Sequence, residues 1–262
     1  MSMKLQDKVK RNLNKLMKDG KMLILAYDQG LEHGPEIDFN DKNANPLYII
    51  DIAKKGKFSA LAVQKGIAEK YYKEIKKSKI PLILKLNGKS RLYQGEPMST
   101  QLCSVKEAID LGAKAVGYTI YLGSLNEPKM FSQFERIEEE AHSKGLPVFV
   151  WMYPRGKNVP KKINRDLMTY AARASLELGA DVAKIQYSGN PSDAKLSVAV
   201  AGRTKIVISG GTKTKEHEFL EQVEDLMRAG VSGFAIGRNI WQSPNPIQLA
   251  SKIKKIMWGS KK

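Results

Sequence analysis

Short apolar runs rich in β-branched residues recur along the chain, and longer segments between them carry apolar residues three and four apart. The runs are Met22–Asp28, Ala60–Lys65, Pro81–Leu86, Ala115–Tyr121, Pro147–Met152, Asp181–Tyr187, Thr204–Ser209 and Gly233–Gly237. They lack clean polar alternation, as expected of strands covered on both faces. The longer segments are Tyr48–Lys55, Ile67–Lys77, Val105–Leu111, Pro128–Lys144, Arg165–Leu178, Asp193–Val200, Lys215–Ala229 and Pro246–Met257. Their spacing predicts amphipathic helices. Gly56, Gly112, Gly145, Gly179, Gly202 and Gly230 stand where a left-handed residue would close each helix, and Ser104 with Glu107 has the spacing of a capping box. Eight strands alternating with eight helices predict an α/β protein, a closed (β/α)8 TIM barrel, as one domain over residues 1–262. Residues 1–20 are expected to add a helix packed on the barrel. A doubly wound open sheet is the alternative. The even count and the lack of a glycine-rich fingerprint after the first strand favour the barrel.

A length of 262 residues fits one such barrel. The only cysteine, Cys103, excludes a disulfide within the chain and fits a cytoplasmic home. The N-terminal segment is basic but has no continuous apolar core, which argues against a signal peptide. No run approaches the roughly 18 apolar residues of a membrane span. The net charge of +17 is the unusual figure. Solvated lysines on helix surfaces are the plain explanation. A positive field that steers anionic substrates into a cleft is the second. Nucleic acid is the third, weakened because the lysines are scattered through every helix and form no stripe with interleaved aromatics.

Barrels of this kind place their active sites at the C-terminal ends of the strands. Those ends carry Asp28, Lys65, Lys85, Trp151, Tyr153, Lys184, Gln186, Ser209-Gly210-Gly211 and Gly237-Arg238. Lys184 lies in the apolar run Val182-Ala183-Lys184-Ile185. Desolvation there would lower its pKa from about 10.4 and free its lone pair for attack on a carbonyl. A lysine reaching into solvent from a strand end is the other reading. Lys85 and Lys65 have similar but weaker claims. The two glycine-bearing ends after strands seven and eight match the common phosphate position of barrels, with Arg238 as a bidentate contact; two ordinary turns are the alternative. Tyr153 would transfer a proton and Trp151 wall the pocket, or both would be core aromatics. Asp28 would bind substrate hydroxyls or orient a catalytic group, or simply cap a turn before Gly30. The histidines His33, His142 and His217 are far apart, and the last two fall in helices where solvation is expected. A zinc site is therefore not expected. No GxSxG, P-loop or dinucleotide motif is present.

At these residues the chain resembles the archaeal-type class I fructose-bisphosphate aldolases, the Schiff-base branch distinct from the zinc enzymes. The resemblance runs from about Gly20 to Gly259. Its signatures are Leu25 to Pro35, Lys65 to Tyr72, Pro81 to Lys89, Ala115 to Tyr121, Val150 to Gly156, Ala183-Lys184-Ile185, Ser209 to Thr214 and Gly237-Arg238-Asn239. It implies that Lys184 is the Schiff-base lysine, Tyr153 the proton-transferring tyrosine, Asp28 the active-site aspartate and Trp151 a substrate contact. It implies further that Ser209, Gly210, Gly211, Gly237 and Arg238 hold the ketone-half phosphate, and that His33 faces the other phosphate. The substrate implied is a phosphorylated sugar, cleaved through a covalent imine with no metal or other cofactor. A large homo-oligomer of pentameric rings, often a decamer, is implied as well, with no nucleic-acid or membrane partner. Two positions depart from the family pattern: Gln29, where histidine is usual, and Gln186, where lysine is common. The alternative within the family is 2-amino-3,7-dideoxy-D-threo-hept-6-ulosonate synthase or another Schiff-base aldolase or transaldolase, and outside it a basic nucleic-acid-binding barrel.

Overall fold

Alternate residues of each strand face opposite sides, and in this chain the two sides meet different materials. Met22 and Ile24, Ala60 and Ala62, Ile83, Ala115, Phe149 and Trp151, Val182, Val207 and Ala235 form one buried cluster. Their neighbours Leu23, Leu25, Leu61, Val63, Leu82, Leu84, Val148, Val150, Ala183, Ile185, Ile206, Ile208, Phe234 and Ile236 belong to another. The first cluster fills the inside of a cylinder and the second lies between the cylinder and its helices. Both faces of the strands are therefore apolar, which explains the continuous runs in the sequence.

The computed structural model describes residues 3–259; the first two and last three positions of the expected 1–262 unit lie outside the described residues. The barrel strands are β1 (Met22–Tyr27), β2 (Ala60–Gln64), β3 (Leu82–Lys85), β4 (Ala115–Leu122), β5 (Val148–Pro154), β6 (Val182–Ile185), β7 (Lys205–Ser209) and β8 (Gly233–Ile236), and Asn87–Gly88 pairs antiparallel with Thr100–Gln101 outside the barrel. They close in the order β1-β8-β7-β6-β5-β4-β3-β2, with every pair parallel. This is the (β/α)8 barrel, and the open sheet is excluded.

The helix Met3–Asn14 and the turn after it close the floor: Leu13 and Leu16 join the interior cluster, and the Asn12 amide donates to the Gly145 carbonyl at 2.8 Å. The floor also holds a groove lined by Lys15, Lys18, Lys57, Lys254 and Lys255. The Lys254 ammonium donates to the Gly56 carbonyl at 2.7 Å, and nearby Lys21 donates to the Met257 carbonyl at 2.6 Å. Helix C-termini converge on this face, and lysines there complement the negative ends of the helix dipoles. Burial and the like charges of Lys57 and Lys18 nevertheless hold the Lys254 pKa below the ordinary lysine value. Among the described residues no helix is long and apolar enough to cross a membrane.

Several local expectations need correction. The segment Ile67–Lys77 is two helices, Lys65–Lys70 and Tyr72–Ser78, broken at Tyr71, whose φ of −114° and ψ of 27° leave the helical region. Five of the six helix-closing glycines have positive φ, but Gly56 does not; Lys57 takes the left-handed conformation instead. The Ser104–Glu107 capping box is formed. Short helices absent from the sequence reading, Gly30–His33, Pro35–Asp38 and Arg238–Trp241, cover the C-terminal mouth.

His142 is buried, contrary to the solvated position expected of it, whereas His217 is exposed. Its imidazole lies 2.6 Å from Glu138 and 2.8 Å from Asp181, whose carboxylate also accepts from the Val148 N–H at 2.7 Å. Burial alone would lower the imidazole pKa, but the hydrogen bonds to Asp181 and Glu138 outweigh it and push it up to about 9. The folded state therefore holds this proton more tightly than the unfolded chain. The resulting stability is fully present below about pH 6.5 and is lost as pH rises through about 9. Thermal melts at pH 6 and pH 9.5 should show a loss of roughly 1–3 kcal/mol that His142→Gln abolishes. Equal pH dependence in both proteins would refute the assignment.

Candidate active site

The alternation that places Met22 and Ile24 inside the barrel carries on to Ala26 and Asp28. By the same parity Phe149 leads to Trp151, Tyr153 and Arg155, Val182 to Lys184 and Gln186, Val207 to Ser209 and Gly211, and Ala235 to Gly237. At the C-terminal end the interior layer turns from apolar to polar, and there a cleft with about 630 Å³ of open space begins. Its lining includes each residue given a role by the family resemblance: Asp28, His33, Trp151, Tyr153, Lys184, Ser209, Gly210, Gly211, Gly237 and Arg238. Glu32, Lys85, Arg155, Gln29 and Gln186 complete its polar wall.

Lys184 is 7% exposed and pairs in register with Trp151 on β5, with its ammonium nitrogen 5.2 Å from the indole centroid. It is not the solvent-reaching lysine of the alternative reading. Burial lowers its pKa below the ordinary lysine value, opposed only in part by Asp28 and Glu32. Trp151 reaches this position because Gly117 on β4 has no side chain: a β-carbon there would lie 2.0 Å from the indole ring. Tyr153 lies on the same strand and face as Trp151. Burial, reinforced by the Asp28 and Glu32 carboxylates, raises its phenol above the usual tyrosine range, so it keeps its proton through neutral pH.

Glu32 was not recognised as a site residue in the sequence. It accepts from the Tyr121 hydroxyl and lies 3.2 Å from the Arg155 guanidinium and 3.4 Å from the Lys85 ammonium. Burial would raise its pKa, but Lys85, the Tyr121 hydrogen bond, Arg155 and His33 together hold it at about 2. Lys85 is 1% exposed and also lies 3.5 Å from Asp28. This buried cation thus sits between two carboxylates and fixes Asp28 beside Lys184. The sequence held one signal of the arrangement. Lys85 shares the inward parity of Ile83, and an interior ammonium requires an anion. Lys65 faces away from the cleft, paired with Glu107 and 3.7 Å from Glu69, and its claim as a nucleophile fails.

The opposite wall is built from the ends of β7 and β8. Asn239 donates to the Gly210 carbonyl at 2.7 Å and the Thr212 carbonyl at 3.0 Å, tying the two loops together. The Gly210 N–H is occupied by the Ala235 carbonyl, so this glycine contributes close approach and no donor. At Gly237 a β-carbon would lie 3.0 Å from both the Ala26 carbonyl and the Gln29 amide. The Arg238 guanidinium donates to the Gly211 carbonyl at 3.1 Å and lies 3.3 Å from Asp38. The fully buried Asp38 carboxylate also takes His33 Nδ1 at 2.7 Å, so one carboxylate positions both the Arg238 guanidinium and the His33 imidazole of the cleft. Among the described residues no three His, Cys, Asp or Glu side chains cluster as a metal site would require.

A family model described as DeoC/LacD family aldolase matches residues 22–243. Fructose-bisphosphate aldolase class 1 of Thermoproteus tenax is 49% identical over 246 residues, 93% of this chain and 92% of that protein. The chain belongs to this class I aldolase family. A solved archaeal fructose-1,6-bisphosphate aldolase, whose catalytic lysine is covalently bound to the carbinolamine intermediate of the substrate, matches with a TM-score of 0.91 and 45% identity. That match covers 96% of this chain and 100% of the other. By contrast, 2-amino-3,7-dideoxy-D-threo-hept-6-ulosonate synthase 1 of Archaeoglobus fulgidus is 31% identical over 251 residues, 96% of this chain and 91% of that protein. The family's aldolase branch is the nearer of the two.

Proposed function

We propose that this aldolase reversibly cleaves fructose 1,6-bisphosphate to dihydroxyacetone phosphate and glyceraldehyde 3-phosphate through an imine on Lys184. The observation that carries the proposal is a desolvated lysine amine and a protonated phenol lining one cleft whose other wall is made of glycines and an arginine.

The neutral amine attacks the keto carbon and water leaves, giving a cationic imine. The hydroxyl on the fourth sugar carbon gives up its proton through its hydrogen bond to Asp28 as the bond between the third and fourth carbons breaks; the electrons of that bond flow into the imine, and the aldehyde departs. Tyr153 carries protons to and from the resulting enamine, and hydrolysis frees the ketone half. Asp28, held by Lys85, receives hydrogen bonds from substrate hydroxyls. Ser209, Gly211, Gly237 and Arg238 anchor the ketone-half phosphate, Gly210 gives it room, and His33 faces the other phosphate. The anchored phosphate holds the carbonyl against Lys184, so binding energy from a non-reacting group serves orientation. The reaction requires no metal, since the imine is itself the electron sink. The same reading places the enzyme in the cytoplasm as a large ring-shaped homo-oligomer, with no nucleic-acid or membrane partner.

The test is reduction with borohydride in the presence of dihydroxyacetone phosphate. A stable adduct on the peptide bearing Lys184, and turnover unchanged by EDTA, are expected. Loss of activity on chelation, with rescue by zinc, would reverse the mechanistic class.

A further inference from the structure

The groove on the barrel floor lies at the opposite end of the barrel from the catalytic cleft and encloses about 1600 Å³ of open space. Lys15, Lys18, Lys57, Lys254 and Lys255 line it, and no carboxylate does. The five come from three separate segments: the turn after the first helix, the entry to β2 and the last helix. Neighbouring lysines on the contributing helices are neutralised in the ordinary way, Lys55 by Asp51 at 2.8 Å and Lys252 by Glu216 at 2.6 Å. None of the five groove lysines forms an ion pair among the described residues. Lys254 and Lys15 have neutral partners, the Gly56 carbonyl at 2.7 Å and the Asn12 side-chain oxygen at 3.0 Å. The Lys18 ammonium lies 5.9 Å from the Trp258 ring centroid. Lys57 and Lys18 are close enough to Lys254 for their charges to disfavour its own. Like charges gathered in this way repel until an anion joins them.

A lysine ammonium meets phosphate as a compact point charge with three donors. One phosphate group would engage only part of a groove lined by five of them. A chain of phosphates repeats its charge along its length and fits the whole. Ser59 and Ser251 also line the groove. The Ser59 hydroxyl already accepts from the Leu23 N–H at 3.0 Å, and its hydrogen is left to donate. Phe58, Pro81 and Trp258 add an apolar side, against which the base of a nucleotide has room.

We propose that this groove is a second anion site, in which Lys18, Lys57, Lys254 and Lys255 bind a small polyphosphate, either free or carried by a nucleotide. The site is distinct from the catalytic cleft, and the proposal does not depend on the aldolase reading.

The experiment is calorimetric titration and thermal melting of the full chain with sodium tripolyphosphate and with ATP, without divalent metal and at constant ionic strength. Saturable binding is expected, with a melting temperature raised by roughly 5 °C or more at a hundredfold excess over Kd. Lys57→Gly is the informative variant. Lys57 has a φ of 51°, which glycine adopts freely, so the variant should fold as the native protein does. It should bind tripolyphosphate about tenfold more weakly, the scale of one lost charged hydrogen bond, and cleave fructose 1,6-bisphosphate within about twofold of native. Lys255→Ala should weaken binding similarly. Arg238→Ala, which alters the cleft at the other end of the barrel, should leave tripolyphosphate affinity within about twofold. Tighter binding of ATP than of tripolyphosphate would identify a nucleotide as the occupant, and equal binding a free polyphosphate; both support the site. The proposal is overturned if no saturable binding survives at constant ionic strength, or if folded Lys57→Gly and Lys255→Ala bind as the native protein does. It is overturned equally if Arg238→Ala removes the binding, which would place the anion in the catalytic cleft.

Discussion

Lys184→Met should abolish aldol cleavage, with a loss of about 10⁴–10⁶-fold, the scale seen when a covalent nucleophile is removed. The variant should fold and melt no lower than the native protein. Methionine is close to lysine in length, and it replaces an amine for which burial next to Trp151 disfavours the charged form. The pH profile of the native enzyme carries the same information. Because burial lowers the Lys184 pKa, the neutral amine is available below the ordinary lysine range. The rate should fall on the acid side as pH drops through this lowered value and the amine takes up its proton. Activity assays, borohydride trapping and a thermal melt on one preparation decide the matter. Substantial cleavage by well-folded Lys184→Met protein would remove Lys184 from the mechanism.

Tyr153→Phe should slow turnover by about 10²–10⁴-fold, the usual contribution of a positioned proton-transfer group, while still allowing the imine to form. The phenol holds its proton through neutral pH because burial and the nearby Asp28 and Glu32 carboxylates oppose its ionisation. It therefore begins as an acid, and no alkaline limb from its titration should appear below about pH 10. Mass spectrometry of the variant after incubation with fructose 1,6-bisphosphate should show an adduct accumulating on Lys184. Wild-type turnover, or no adduct at all, would assign Tyr153 another role. The Tyr121 hydroxyl is not a substitute, since it is committed to Glu32.

Sequence pattern alone was enough for the barrel and for its eight strands, and it pointed to their C-terminal ends as the place to look for a site. These follow from periodicity, which is local: residues two apart on a strand share a face, and residues three or four apart share a helix face. The same parity brings Asp28, Tyr153, Lys184, Ser209 and Gly237 inward, and the ordered matches to a known family attached roles to them. The sequence could not show which side chains meet once the barrel closes. Glu32, Lys85, Tyr121 and Arg155 form one network from four separate segments, and Asp38 joins His33 to Arg238 across 200 residues. His142 and Lys65 were misplaced for the same reason: one was drawn between two carboxylates into a buried site, the other turned outward to Glu107. In each case the outcome depended on strand order, register and loop path, which set the distance between charges. Coulombic attraction and desolvation act on that distance and that burial, and neither is encoded in the spacing of residues along the chain.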